Sequence, residues 1–166
     1  MRRLREGKGG GPEIQPPPSL LSAAKQFLCW DRFPDLSIQL IRMGRPVGYW
    51  FPPAGRHSVI LFYTDDRVEE ALFLLFHEVG HYLTWEPGWE HRPKERSEVL
   101  AWERGRAELL QFLAVQGLDQ HLLAKYDAFA CESLRTYGID PTGYRLLKEK
   151  GAVSQDMGKT EAGGEG

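Results

Sequence analysis

The chain has 166 residues, a length that favours a single domain. Hydrophobic residues make up 42% of it and charged residues 27%, a balance typical of globular proteins that argues against wholesale disorder. The formal net charge of -2 provides no basic field for nucleic acid, and no apolar run approaches the roughly 20 residues that a bilayer-spanning helix needs. No apolar stretch follows the charged N-terminus, so we expect no secretory signal. Cys29 and Cys131 are too few for a disulfide framework, and we expect buried thiols in a cytoplasmic protein.

Both ends of the chain have the composition of tails. Residues 1–18 contain four glycines and end in three consecutive prolines, so they cannot bury enough apolar area to offset the entropy of ordering. Residues 151–166 have no apolar periodicity and end in a glycine-rich run. We therefore predict disordered tails over 1–18 and 151–166 and one folded domain over 19–150.

The first part of the predicted domain combines a short helix with three strands. Ser19–Trp30 has helical character, and the runs Ser37–Met43, Val47–Phe51 and Ser58–Tyr63 are rich in β-branched and aromatic residues. Turn-forming residues separate these three runs. Because the connections between them are short, we predict a small three-stranded antiparallel sheet.

Helices are predicted for the rest of the domain. The stretch from about Arg67 to Thr84 is apolar almost all round, which is typical of a buried, central helix. A second helix should run over about Pro93–Gln116, with Gly117 beyond its end. Two more follow, one after Asp119 and a short one over about Asp140–Lys150. The predicted fold class is α+β, with the sheet packed against the central helix and about four further helices.

The central helix carries the segment His77-Glu78-Val79-Gly80-His81. His77 and His81 are four residues apart, so both imidazoles project from one face, and such a pair can bind zinc at about 2.0–2.1 Å. Glu78 lies to one side, where it can accept a proton from a zinc-bound water. Three polar side chains on so apolar a helix would be costly unless paired, and a metal ion would satisfy them together. Ordinary core or surface histidines are the alternative interpretation.

A catalytic zinc site needs a third protein ligand and a fourth position for water. On the next helix, Glu98 shares a stripe with Trp102, Gly105 and Leu109, and this stripe should face the core. A carboxylate on a buried stripe needs a partner, and Gly105 would let the two helices approach closely. The competing candidates for the third ligand are Glu95, Glu103, His91 and Glu90. Position on the stripe favours Glu98.

The sequence specifies the surroundings of this site less sharply. A donor for a developing oxyanion could be Tyr82, His121, Tyr126 or His57. Asp127 or Glu132 could support a histidine ligand through a hydrogen bond. Glu108 falls off the core stripe among arginines, so we expect it in a solvated ion pair. An extended substrate could pair with the sheet edge at Ser58–Tyr63, with the aromatic loop Trp85–Trp89 as a rim.

These motifs resemble those of the ImmA/IrrE-type metallopeptidases of bacteria and phages, which have a gluzincin-like arrangement. The similarity covers about residues 37–116 and depends on the His77–His81 segment followed by Glu98-Val99-Leu100-Ala101-Trp102-x-x-Gly105. It implies a zincin-like fold in which His77, His81 and Glu98 bind zinc and Glu78 is the general base. Two positions differ from the family's usual pattern. Trp102 stands where Asn or Asp is usual, and Arg104 stands where an aromatic residue is often found.

The resulting hypothesis is a cytoplasmic zinc metallopeptidase, a hydrolase in which zinc and Glu78 activate water to cleave a peptide bond of a protein or peptide substrate. Members of the family cleave helix-turn-helix repressors, so a transcriptional repressor is a substrate by analogy only. We expect no direct nucleic-acid or membrane partner. Two alternatives are open: a non-catalytic metal-binding regulatory module on the same scaffold, and a helical protein-interaction module with incidental histidines. An intact Glu78 argues against the first.

Overall fold

The computed structural model describes residues 18–52 and 58–144. In chain order the elements are α1 (Ser19–Gln26), β1 (Ser37–Arg42), β2 (Val47–Phe51), β3 (Ser58–Tyr63), α2 (Val68–Thr84), α3 (Lys94–Gln116) and α4 (His121–Thr136). A π-helical turn, Phe27–Arg32, continues α1, and a 3-10 turn, Trp89–His91, precedes α3. Residues 142–144 begin the predicted last helix, whose remainder lies outside the described residues. The predicted tails lie outside them too, except for Pro18.

The three strands form a mixed sheet, so the prediction of an antiparallel sheet is wrong. The central strand is β3, which runs parallel to β1 and antiparallel to β2. A short connection does not require its two strands to be neighbours. Residues 43–46 link β1 to β2 across two strand spacings, about 10 Å, and four extended residues can cover that distance. The space between β1 and β2 is filled by β3.

This strand order also changes which edges are free. The predicted exposed edge at Ser58–Tyr63 is wrong, because β3 is hydrogen-bonded on both sides and the sheet edges are β1 and β2. Alternate residues of β3, Val59, Leu61 and Tyr63, are buried in the core. The sheet packs against α2 through β2 and β3. Within the described residues, the edge strand β2 therefore lies next to the helix that carries the histidine motif.

The predicted central helix is confirmed by α2. It contacts β2, β3, α1, α3 and α4, and it is buried along most of its length. Its ends lie within one residue of the predicted bounds. Within residues 18–52 and 58–144, no helix has the length and apolar character that a membrane crossing requires. Cys131 is buried and Cys29 is partly buried, and neither forms a disulfide among the described residues.

A glycine on each of α2 and α3 allows the two helices to approach closely. A Cβ added at Gly80 would lie 1.8 Å from the carbonyl oxygen of Ala101, and one added at Gly105 would lie 2.3 Å from that of Phe76. Any side chain at either position would force the helices apart, because a close-packed interior leaves no room for it. The predicted role of Gly105 is confirmed. The close approach brings the stripe of α3 that contains Glu98 against α2.

Two carboxylates join the helices away from the sheet. Glu108 is buried and accepts two hydrogen bonds of 2.9 Å from Arg32, so the prediction of a solvated ion pair is wrong. Asp127 is also buried, and it accepts hydrogen bonds from Arg106 and Tyr144. Burial without a partner would be costly for either group, and the guanidinium groups remove that cost.

Candidate metal centre

The three predicted ligands converge where α2 faces α3. His77 Nε2 is 3.2 Å from Glu98 Oε2, and His81 Nε2 is 3.6 Å from Glu98 Oε1. Two atoms that each lie about 2.05 Å from one tetrahedral ion are about 3.3 Å apart. One ligand atom from each residue lies within 4.8 Å of the others, so the group could hold a metal ion. No other group of this kind occurs among the described residues.

The competing candidates for the third ligand lie outside this group. Glu90 and His91 are in the 3-10 turn, and their side chains are 58% and 86% exposed. Glu95, in the first turn of α3, is exposed, and Glu103 is outside the group as well. Glu98, in contrast to these four residues, is partly buried and also lies next to the two histidines of α2.

The surroundings favour the protonation states that bind a metal. Burial lowers the pKa of His77 to about 4, which keeps its imidazole neutral. Burial alone would raise the pKa of Glu98, but hydrogen bonds from His77 and His81 outweigh that effect and hold the pKa well below its usual value. Neutral imidazole and ionised carboxylate are the forms that coordinate metal ions.

Glu78 lies beside the ligand group, in a space provided by β2. Glu78 is only 8% exposed, and burial raises the pKa of its carboxyl group to about 7. A Cβ added at Gly48 would lie 2.6 Å from Glu78 Cγ, so the glycine leaves room for this side chain. Glu78 has no hydrogen bond or ion pair within the described part of the chain, which leaves its carboxyl group available to a ligand.

The ligand group and Glu78 line a cleft of about 720 Å³. Residues 45–50, the β1–β2 connection and most of β2, form one wall. Residues of α2, α3 and α4 form most of the rest of the lining, among them Leu74, Trp102, Phe129 and Ser133. The cleft therefore places the free edge of the sheet, a partly apolar floor and the candidate ligands in one space.

The candidates for an oxyanion donor are placed elsewhere. Tyr126 is fully buried and donates a hydrogen bond of 2.8 Å to the carbonyl oxygen of Trp102. The other two are also outside the cleft lining, since Tyr82 packs edge-on against Phe33 and His121 is exposed at the start of α4. His57 lies outside the described residues.

Sequence analysis missed Tyr137, which lines the cleft immediately after α4 and is 61% exposed. The Lys94 ammonium lies 4.7 Å from the centre of its ring. Burial raises the pKa of Tyr137, and the charges of Glu98 and Glu78 raise it further. Helical periodicity puts Tyr137 on the core stripe of α4, but the helix ends before it. The adjacent Gly138, at φ 72°, is the sequence signal that could have indicated this exposure.

Each candidate histidine ligand is faced by an indole. The ring of Trp102 stacks on that of His77, with a centroid distance of 4.0 Å and an angle of 20° between the ring planes. The ring of Trp50 is nearly parallel to that of His81, with a centroid distance of 5.9 Å and an angle of 17°.

Neither acid predicted as a hydrogen-bond partner of a histidine serves that role, because Asp127 binds Arg106 and Glu132 pairs with Arg135 in solvent.

Comparisons of the chain with protein-family models, with curated proteins and with solved structures found no match. The resemblance to the ImmA/IrrE-type metallopeptidases stays a prediction from the motif and its spacing. Any functional conclusion depends on the chemistry and geometry of the site itself.

Proposed function

We propose that the protein is a zinc-dependent metallopeptidase of the gluzincin type, similar to the ImmA/IrrE-type enzymes, that hydrolyses a peptide bond of a protein substrate. One observation carries the proposal: beside an open cleft, Nε2 of His77 and Nε2 of His81 lie 3.2 and 3.6 Å from the two oxygens of Glu98, and one ligand atom of each residue lies within 4.8 Å of the others. Two imidazoles and one carboxylate are a donor set that zinc accepts, and it leaves a coordination position for water.

The residues around the ligands support hydrolysis. When bound, zinc would supply a Lewis acid and lower the pKa of a coordinated water. The carboxylate of Glu78 accepts the proton of the attacking water and returns it to the leaving amine. Its lack of a partner among the described residues supports this role, because an acid held in an ion pair could not exchange protons as freely.

The cleft also fits an extended peptide. As the free edge of the sheet and a wall of the cleft, β2 offers backbone groups that can pair with a substrate strand. Tyr137 lines the same cleft, and its hydroxyl has no hydrogen-bond partner among the described residues. It donates a hydrogen bond to the carbonyl oxygen of the substrate as negative charge develops there.

Metal analysis of three purified full-length proteins tests the proposal. We expect about one zinc ion per chain in the wild type and in Glu78→Gln, and a strong loss in Glu98→Ala. Of the two acids, Glu98 is the proposed zinc ligand and Glu78 is not. If Glu78→Gln lost the metal as completely as Glu98→Ala, the roles proposed for the two acids would be wrong.

Cleavage separates the proposed enzyme from the non-catalytic alternative. The metal-loaded wild type is incubated with a random peptide library, and new termini are identified by mass spectrometry. We expect cleavage that Glu78→Gln lacks. A wild type that holds zinc and cleaves nothing in the library would instead favour a metal-binding regulatory module.

A further inference from the structure

We propose that Trp102 and Trp50 are positioning residues, which orient the two histidine ligands by ring stacking. At His77 the stacking takes the place of the hydrogen bond that normally orients such a ring. The inference depends on the proposed metal site and extends it. The three ligands cannot by themselves fix the orientation of the two imidazole planes.

A metal-binding histidine almost always donates its other ring N–H to a carboxylate, a carbonyl or a water, which fixes the ring orientation. His77 directs Nε2 towards Glu98, so Nδ1 is the nitrogen that remains for this bond. That atom is buried and has no hydrogen-bond partner among the described residues. No polar contact described for the chain therefore restrains the rotation of this imidazole through Nδ1.

An indole face provides the restraint on His77. Trp102 lies 4.0 Å from the imidazole, at an angle of 20° between the ring planes, and is 1% exposed. Tyr126 and Phe129 pack against the same indole at centroid distances of 5.3 and 5.9 Å. Tyr126 also donates a hydrogen bond to the backbone carbonyl of Trp102. A rigid flat surface at this distance prevents the imidazole from turning out of its plane, because the turned ring would overlap the indole.

The second histidine has a similar arrangement built from a different element. Trp50 comes from β2 and lies nearly parallel to His81, with an offset that places the ring centres 5.9 Å apart. Trp89 packs edge-on against this indole at 5.4 Å and 75°. The indole next to His81 is therefore packed between β2 and the 3-10 turn. The indole next to His77 is packed between α3 and α4.

The indole nitrogens support a role for the ring faces. Nε1 of Trp50 and Nε1 of Trp102 are both buried without a hydrogen-bond partner among the described residues. A buried N–H without an acceptor is unfavourable, so tryptophan is a costly choice if only apolar volume is needed. A large flat surface next to an imidazole is what an aliphatic side chain at the same position would lack.

Cobalt(II) titration of the metal-free, full-length protein tests the proposal. The visible absorption of bound cobalt reports both affinity and ligand geometry. We expect Trp102→Leu and Trp50→Leu to bind cobalt about 10- to 100-fold more weakly than the wild type, with altered bands, because loss of a supporting group typically costs that much. Trp102→Phe, which keeps a flat face, should restore most of the affinity and the wild-type bands.

Two control variants separate positioning from general stability. Phe112→Leu removes a fully buried ring that packs on Phe27 and Phe76 and not on either histidine. It should lower the melting temperature of the metal-free protein and leave cobalt affinity unchanged. Trp30→Leu, at a tryptophan that is 75% exposed, should change neither.

Three outcomes would overturn the proposal. Wild-type cobalt affinity in Trp50→Leu and in folded Trp102→Leu would show that the indoles do not position the ligands, while the metal site itself would stand. An equal loss of affinity in Phe112→Leu would show that core stability alone governs binding. A wild-type protein that binds neither cobalt nor zinc would remove the proposed function together with this inference.

Discussion

Shielded carboxylates occur both in the cleft and on the side of the molecule away from the sheet. The groups that pair with these carboxylates differ between the two places. Away from the sheet, Glu108 accepts two hydrogen bonds from Arg32, and Asp127 accepts two from Arg106. These guanidinium groups match each carboxylate with a fixed, two-pronged donor. Such pairs join helices and give each carboxylate a permanent cation.

In the cleft, no arginine or lysine among the described residues pairs with Glu78 or Glu98. Glu98 faces His77 and His81, and Glu78 has no described partner. A buried acid without a permanent cation is unfavourable by itself, and the proposed metal ion and proton transfer would give Glu98 and Glu78 their partners. The comparison teaches that the partner of a buried carboxylate, more than its burial, distinguishes a structural acid from a functional one.

The largest effect that would test this comparison is expected from Glu98→Gln. The amide keeps the size of the side chain but removes its charge, so zinc affinity should fall by well over the roughly 10- to 100-fold that loss of a supporting group costs. Competition with a chromogenic chelator measures this change. Unaltered zinc affinity in Glu98→Gln would place the third ligand elsewhere.

Glu78→Gln should separate binding from chemistry. It removes the proposed proton acceptor and keeps the ligands, so kcat should fall about 10³-fold with zinc content unchanged. Steady-state kinetics on a peptide from the library screen would measure kcat and KM separately. A variant that retained wild-type kcat would exclude Glu78 as the base.

Glu108→Gln should give the opposite pattern to Glu98→Gln. It breaks the pair with Arg32, whose side chain is 35% exposed, so we expect a loss of about 2 kcal/mol in the free energy of unfolding, less than the ~3–5 kcal/mol of a fully buried pair. Urea denaturation of the metal-free protein measures it, and zinc affinity should not change. Loss of zinc here would contradict the division into structural and functional acids.

Tyr137→Phe should have the smallest effect on turnover. Removing one hydroxyl donor while zinc still polarises the carbonyl should lower kcat about 10-fold, less than the 10²–10³-fold found where such donors act alone. Tyr49→Phe is the matched control, since Tyr49 also lines the cleft and is 49% exposed, but it belongs to the sheet. Equal effects of the two substitutions would assign no special role to Tyr137.

Local periodicity explains why the candidate ligands could be predicted from sequence. The spacing of His77 and His81 and the stripe of Glu98 and Gly105 both depend on the 3.6-residue repeat of a single helix. Once two such helices pack closely through their glycines, the three side chains meet. The bounds of α2 and α3 follow from the same repeat and from Gly117, whose φ of 63° ends α3.

Features that depend on contacts distant in sequence could not be predicted in this way. The order of the strands depends on which partner β3 meets, and no local pattern specifies that. The partner of Glu108 lies 76 residues away, so nothing near Glu108 in the sequence reveals its burial. Helical periodicity alone would put Tyr137 on the core stripe of α4, because it does not indicate the residue at which a helix stops.

The position of β3 between β1 and β2 has a consequence for the order of assembly. Both outer strands precede their shared neighbour in the chain, so during synthesis they have no partner in this sheet until residue 63 has left the ribosome. Formation of the sheet, and of the wall of the cleft that it provides, therefore waits for β3. Pulse-labelled hydrogen exchange during refolding would detect amides of β1 and β2 becoming protected together with those of β3.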